Sequence, residues 1–365
     1  MLNLEYNGKL VLIPLAIYLI MLFRYRKYIQ NPNLNESRHE SIILFILLVL
    51  SSVFAFESHD TYHYNEGFKL AKEDGGYYED IYKFFSLLTN NYFVWRLMIW
   101  GPASLFILLA ARKAGVKLGI LGFVIPLFFL TQFVITRGAF GFSFMLLCII
   151  FASSEIASKK INFKSILILI LSLVGIWYSS ELHRSIIIFL VLLPISLLIP
   201  LKKSTLYALM ILFPVFYIGA TYLLNLFAGL EVLIEKQEFI LGYSEVEEIN
   251  LSINGFIRVY LERAPWYLMG IPMLYALVNE KNLTIRILAK YSLLLVYVSA
   301  ITFRQESIGP WLSVRTIHAA SFPLLICEGY FLQNYKIDRW TRLSICLFIT
   351  TVLLYHFFVN ILNWW

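Results

Sequence analysis

Charge is scarce in this sequence. Only 15% of its 365 residues are Asp, Glu, Lys or Arg, well below the near one-quarter usual for soluble domains. Aspartate is scarcest, with four in the whole chain, and no two form an Asp-x-Asp metal pair. There is no glycine-rich phosphate loop, no Cys-x-x-Cys and no His-Glu-x-x-His. These absences argue against a nucleotide-sugar enzyme with a soluble catalytic domain. The three cysteines, Cys148, Cys327 and Cys346, are odd in number, lie inside apolar stretches and lack metal-ligand spacing, so they read as packing residues.

Apolar residues fill the space that charge leaves. Hydrophobic residues make up 59% of the chain and aromatics 17%, with a mean hydropathy of +0.73. About 20 apolar residues cross a bilayer as a helix, and the runs predict all-α spans near 10–23, 41–56, 92–111, 119–136, 138–153, 163–178, 184–200, 205–224, 265–279, 287–303, 313–330 and 342–360. The expectation is one polytopic transmembrane domain over 1–365, with about 12 helices and no separate soluble domain. The first run follows only Lys9 and is closed by Arg24, Arg26 and Lys27, the wrong polarity for a cleaved signal peptide. It reads as a retained span.

The net charge of +7 is distributed as topology rather than as a nucleic-acid surface, since the basic residues are scattered between apolar runs. Assigning alternate loops to one side gathers 18 of the 30 Lys and Arg there, with only six acidic residues. By the positive-inside rule that side is cytoplasmic and both termini face out. Two long loops, 57–91 and 225–264, then face out. They are acidic and rich in Tyr and Phe. In the first, Ile81, Phe84, Phe85 and Leu88 recur at the spacing of a short helix lying on the membrane surface; Ile253, Phe256, Ile257 and Tyr260 do so in the second. The run "EVEE" around Glu245 and Glu247 reads as a solvated face.

Against this pattern a few ionisable groups stand out. The stretch "SSELHRSIIIFL" puts Glu181, His183 and Arg184 between two apolar runs, where a charge costs on the order of 2.5–3.5 kcal/mol on insertion scales. Arg137, Arg184, Arg304 and Arg315 lie in or beside short outward connections that should be poor in Arg. A guanidinium matches phosphate bidentately and keeps its charge, so arginines converging at one membrane edge suit a pyrophosphate head group. Taken singly, each could equally snorkel to lipid phosphates. His183 suits a proton carrier or sugar contact, because imidazole titrates near neutral pH. Glu181 would either share that site or simply neutralise Arg184. Arg315 and His318 stand three apart on one helical face. In "FESHDTYHYNEGF" Asp60 offers a carboxylate to deprotonate a sugar hydroxyl, or caps a loop helix, and Tyr62 and Tyr64 offer flat faces for stacking on sugars.

Four segments in order, "HDTYHYNEGF", "TRGAFGFSFMLLCIIFAS", "HRSIIIFL" and "VRTIHAASFPLL", make the chain resemble the EpsG-type branch of the Wzy-like bacterial polysaccharide polymerases. The likeness runs from about the second span to the eleventh. Where that family often shows Arg-Gln at the start of the fifth span, this chain has Arg137-Gly138. The resemblance implies a multi-pass enzyme of the bacterial inner membrane, for which a GT-C-like arrangement is open, with its site facing the periplasm. Its substrate would be an undecaprenyl-pyrophosphate-linked oligosaccharide, polymerised into O-antigen, capsule or exopolysaccharide. It would need neither metal nor nucleotide cofactor, and its partners would be the bilayer, a chain-length regulator and a flippase of the same pathway, with no nucleic acid. In these terms Arg137, Arg184, Arg304 and Arg315 hold the departing pyrophosphate, Asp60 or His183 takes the proton, and His318, Tyr62, Tyr64 and Glu181 contact substrate.

Two other classes fit a chain of this composition. A lipid-linked oligosaccharide flippase would place its polar residues near the midplane on broken helices, whereas the ionisable groups here cluster at one edge. A membrane acyltransferase decorating sugars would need a cytoplasmic donor path, for which the basic-side loops are short and plain.

Overall fold

The protein, in a computed structural model, is described over residues 12–54, 68–69, 80–128, 136–158, 162–183, 186–198, 270–302 and 309–335, with short helical pieces between 204 and 219. These residues form helices α1 (Leu12–Gln30), α2 (Arg38–Val53), α3 (Asp80–Leu88), α4 (Tyr92–Lys113), α5 (Leu118–Phe128), α6 (Thr136–Ser158), α7 (Phe163–Leu182), α8 (Ile186–Leu198), α9 (Ile271–Leu277), α10 (Leu283–Thr302) and α11 (Gly309–Asn334). Among the described residues there is no strand. Among the described residues four helices, at Tyr92–Lys113, Gly138–Ser158, Phe163–Leu182 and Leu283–Thr302, are long and apolar enough to cross a membrane. The expected spans 205–224, apart from those short pieces, and 342–360 lie outside the described residues, as does the loop 225–264.

Local chemistry sets the helix ends. Ser37 caps α2, its Oγ accepting from the Glu40 N–H at 3.3 Å, and this moves the start of the helix ahead of the apolar run to Arg38. Asn91 caps α4 by accepting from the N–H groups of Phe93 and Val94, and Asn162 caps α7 through Ser165 N–H. Helix α4 ends in a Schellman turn. Gly115, at φ 81°, donates to Arg112 O, and Val116 donates to Ala111 O.

Small residues let the helices approach closely. A Cβ at Gly122 of α5 would lie 2.7 Å from the Tyr25 ring of α1, and one at Gly175 of α7 would lie 2.6 Å from Cys148 Sγ of α6. The buried side of α7 is Ser172, Gly175, Ser179 and Ser180, with Leu182 at its end, while Leu171, Val174 and Trp177 are exposed. Small residues toward the protein and large apolar ones outward are how a lipid-facing helix packs without a hydrophobic drive between helices. Helices α10 and α11 form the most extensive pair among the described helices, and α6 touches α4, α7, α10 and α11.

The loops that the charge pattern places on the basic side do share one edge. Glu40 accepts from Arg24 Nε and Lys27 Nζ, each at 2.9 Å, tying α1 to α2. Lys117 Nζ donates to Pro32 O at 2.5 Å, and Glu36 accepts from Gly119 N–H, so the α1–α2 and α4–α5 connections meet. Gln333 of α11 donates to Gly115 O and accepts from Lys117 N–H. The Tyr335 hydroxyl donates to Glu280 at 2.9 Å, and Lys113 stands 3.8 Å from Glu155. Burial alone would raise the Glu40 carboxyl, but its hydrogen bonds with Lys27 and Arg24 outweigh that and hold it below the ordinary glutamate value.

Candidate functional site

The opposite ends of these helices carry His183, Arg315 and His318 of the groups singled out above. Helix α7 ends at His183, whose extended backbone (φ −159°, ψ 106°) turns the chain while its N–H still donates to Ser179 O at 3.1 Å. The Ile186 N–H donates back to His183 O, which closes the corner and starts α8. His183 is buried and Glu181, two residues earlier, is exposed. The corner therefore parts the two groups that the sequence set side by side.

The corner rests on Gly141 of α6. A Cβ there would meet Ile186 Cδ1 at 2.6 Å and His183 Cβ at 3.1 Å, so the small residue is what admits the imidazole. One helical position further, Phe142 takes the His183 ring in a T-shaped contact, with centroids 5.9 Å apart. The same phenyl ring meets Phe189 of α8 at 5.6 Å and Phe322 of α11 at 5.7 Å. From α10, the Tyr291 hydroxyl donates to Phe189 O at 3.1 Å. The Phe142 ring of α6 thus meets α8, α11 and the α7–α8 corner, and α10 ties to the same place through Phe189.

His318 lies one turn before Phe322 on α11, and Arg315 a further three residues toward the helix start; both are half-buried. Ser321 Oγ donates to His318 O at 2.5 Å. Arg137 stands in the first turn of α6, five residues before Phe142, but its side chain lies outside the described residues. Asp60, Tyr62, Tyr64, Arg184 and Arg304 lie outside them altogether. The structure therefore places His183 directly against the Phe142 cluster and His318 a turn away from it, and it leaves the meeting of the four arginines to experiment. Among the described residues no group of three His, Cys, Asp or Glu is placed to hold a metal ion.

One charged residue at this edge was not expected. Arg96 stands one turn into α4, is 1% exposed, and donates from Nη2 to Ser52 O at 2.6 Å, with its guanidinium 6.0 Å from the Tyr92 ring centroid. The signal was in the sequence: "YFVWRLMIW" breaks an apolar run with a lone Arg, the same anomaly that marks Arg184.

Comparison with protein-family models, with curated proteins and with solved structures finds no match of any of the three kinds.

Proposed function

We propose that this protein polymerises lipid-linked oligosaccharide repeats at the outer face of a bacterial inner membrane, as a polytopic protein of about 12 spans. The observation that carries the reading is the contact of Phe142 with His183, Phe189 and Phe322. Three of the four sequence segments behind the polymerase resemblance, far apart in the chain, come together at that one ring. A scattering of lipid anchors gives no reason for such a meeting.

In this reading the growing chain sits on undecaprenyl pyrophosphate. A hydroxyl of the next repeat's non-reducing sugar attacks the anomeric carbon, the bond to pyrophosphate oxygen breaks, and the hydroxyl proton passes to Asp60 or His183. Arg137, Arg184, Arg304 and Arg315 balance the charge that gathers on the departing pyrophosphate. His318, Tyr62, Tyr64 and Glu181 contact the sugars. The positive-inside distribution supports an outward site, since the basic residues of Lys117, Arg24 and Lys27 occupy the edge away from His183.

Deletion of the gene in its host, followed by electrophoresis of the surface polysaccharide, tests the reading. The expected result is loss of the long-chain ladder with single repeats still exported and displayed. An unchanged ladder refutes polymerisation, and repeats trapped on the cytoplasmic side indicate a flippase.

A further inference from the structure

We propose that the first turn of α4, Tyr92–Arg96, is a clamp that fixes both ends of the chain segment between α2 and α3, and that Arg96 is its charged positioning residue. The proposal rests on the polymerase reading for its functional consequence, because that segment carries Asp60, Tyr62 and Tyr64 in its sequence.

The near end is held twice. Arg96 Nη2 donates to Ser52 O in the last turn of α2, where helix carbonyls lack intrahelical partners and a cation is favoured by the helix dipole. One residue past that helix, the Phe54 ring lies 5.7 Å from that of Phe93. The far end is held by Trp95, whose Nε1 donates to Tyr82 O of α3 at 3.2 Å. Between them, Phe68 is buried against Tyr92 and Trp95, with ring centroids 5.8 and 5.7 Å away, and Tyr92 stacks on Trp95 at 5.6 Å. Four residues of one turn thus hold Ser52 and Phe54 at the near end, Tyr82 at the far end and Phe68 between them. A fully buried guanidinium inside an apolar helix costs several kcal/mol unless satisfied, and its bond to a helix-end carbonyl is a use that an apolar residue cannot replace.

The cross-linking test uses the full chain in native membranes, with the three native cysteines replaced by alanine and the pair Phe54→Cys and Phe93→Cys introduced; the pair gives up the Phe54–Phe93 ring contact, so the near end then rests on Arg96, and elongation is measured separately in chains that keep both rings. A short bifunctional thiol reagent then reports the α2–α4 approach whether or not the protein is an enzyme. With Arg96 present the pair cross-links; Arg96→Lys, which keeps a charged donor, retains cross-linking and chain elongation. Arg96→Met lowers the cross-link yield about fivefold or more, as loss of one charge-assisted hydrogen bond requires. It also lowers the elongation rate at saturating substrate about tenfold or more with KM little changed, because the reacting groups are misplaced rather than removed. If Arg96→Met fails to accumulate, Arg96→Gln, a neutral donor, takes its place in the comparison and falls between Lys and the parent on one side and full loss on the other. An undiminished cross-link in Arg96→Met or Arg96→Gln overturns the clamp. A lost cross-link with parental elongation overturns the positioning role. Absence of any polymer from the parent chain sinks the polymerase reading instead, and the cross-link result still decides whether Arg96 clamps.

Discussion

The imidazole of His183 meets the ring of Phe142 at an interplanar angle of 76°, with centroids 5.9 Å apart, and this contact joins the α7–α8 corner to the first turns of α6. Because Phe142 also carries Phe189 and Phe322, it fixes His183 relative to α11, and so relative to the helix that bears Arg315 and His318. An aromatic ring shared by three elements is a rigid reference. If the site is built around it, its shape matters more than any one polar group on its rim.

Truncating that ring is the most direct probe. Phe142→Ala removes the common contact of three elements in a fully buried position, and is expected to cost about 3–5 kcal/mol. Phe142→Leu keeps most of the volume. Thermal unfolding in detergent should show the alanine variant melting well below the leucine variant, and polymer length in cells should follow the same order. Equal melting of the two would mean that the rings make no common core.

Gly141 tests the same corner from below. Gly141→Ala adds a methyl group where Ile186 Cδ1 would be 2.6 Å away, so the α7–α8 corner must lift or Ile186 must turn. Overpacking of this kind costs about 1–3 kcal/mol. The double variant Gly141→Ala with Ile186→Val makes room for the methyl and should recover most of the loss in melting temperature. No recovery would place the clash elsewhere.

Much of this was legible in the sequence, and the part that was not has a physical reason. Helix positions followed hydropathy, but the span expected from 41 missed the Ser37 cap, and Glu40 beside it serves Arg24 and Lys27 of the neighbouring helix instead of its own first turn. Charge sorting brought Arg24, Lys113 and Lys117 to one edge correctly, because each loop is tested independently by the membrane. Which rings meet at Phe142 was not legible, since apolar periodicity is blind to the partner across an interface. The partner of the Gly115 carbonyl was equally silent, because Gln333 lies more than 200 residues away. Arg96 was readable, and was hidden only by lying within a stretch that already counted as a span.

The Glu40 bridge predicts an acid-sensitive tie on the basic edge. Its carboxyl lies below its ordinary value of 4.5, so its stabilisation is fully present above that value and is lost as pH falls through the lower value it has in the folded protein. Partly exposed ion pairs contribute about 0.2–1 kcal/mol, and two share this carboxylate. Glu40→Gln should therefore lower the melting temperature modestly at pH 7 and flatten its decline below about pH 4.5, relative to the parent. A mutant that melts in parallel with the parent at every pH would show that the bridge contributes nothing.

Arginines that serve only as lipid anchors and arginines that hold a leaving group respond differently to lysine. Arg315 is half-buried on α11, about two turns before Phe322, and a point charge there keeps attraction for phosphate while losing the two-pronged geometry. Arg184→Lys and Arg315→Lys are expected to retain more long-chain polymer than Arg184→Ala and Arg315→Ala, with all four accumulating in the membrane. Indistinguishable ladders from Lys and Ala at both positions would remove these side chains from the leaving-group site.

The proton acceptor can be decided between Asp60 and His183, because of the two only an imidazole ordinarily titrates between about pH 5.5 and 7.5. His183 is 5% exposed and packs its ring on Phe142, so replacing it also probes a structural role. His183→Gln keeps a polar planar group of similar reach and removes the titration. If His183 is the base, elongation in that variant should lose its dependence on pH between about 5.5 and 7.5 and fall about 100-fold or more at neutral pH. If Asp60 is the base, His183→Gln should slow elongation only as far as it loosens Phe142. Asp60→Asn should instead stop it, while lipid-linked single repeats accumulate. Measuring repeat addition for both variants across that pH range separates the roles, and undiminished addition in both would exclude either residue as the acceptor.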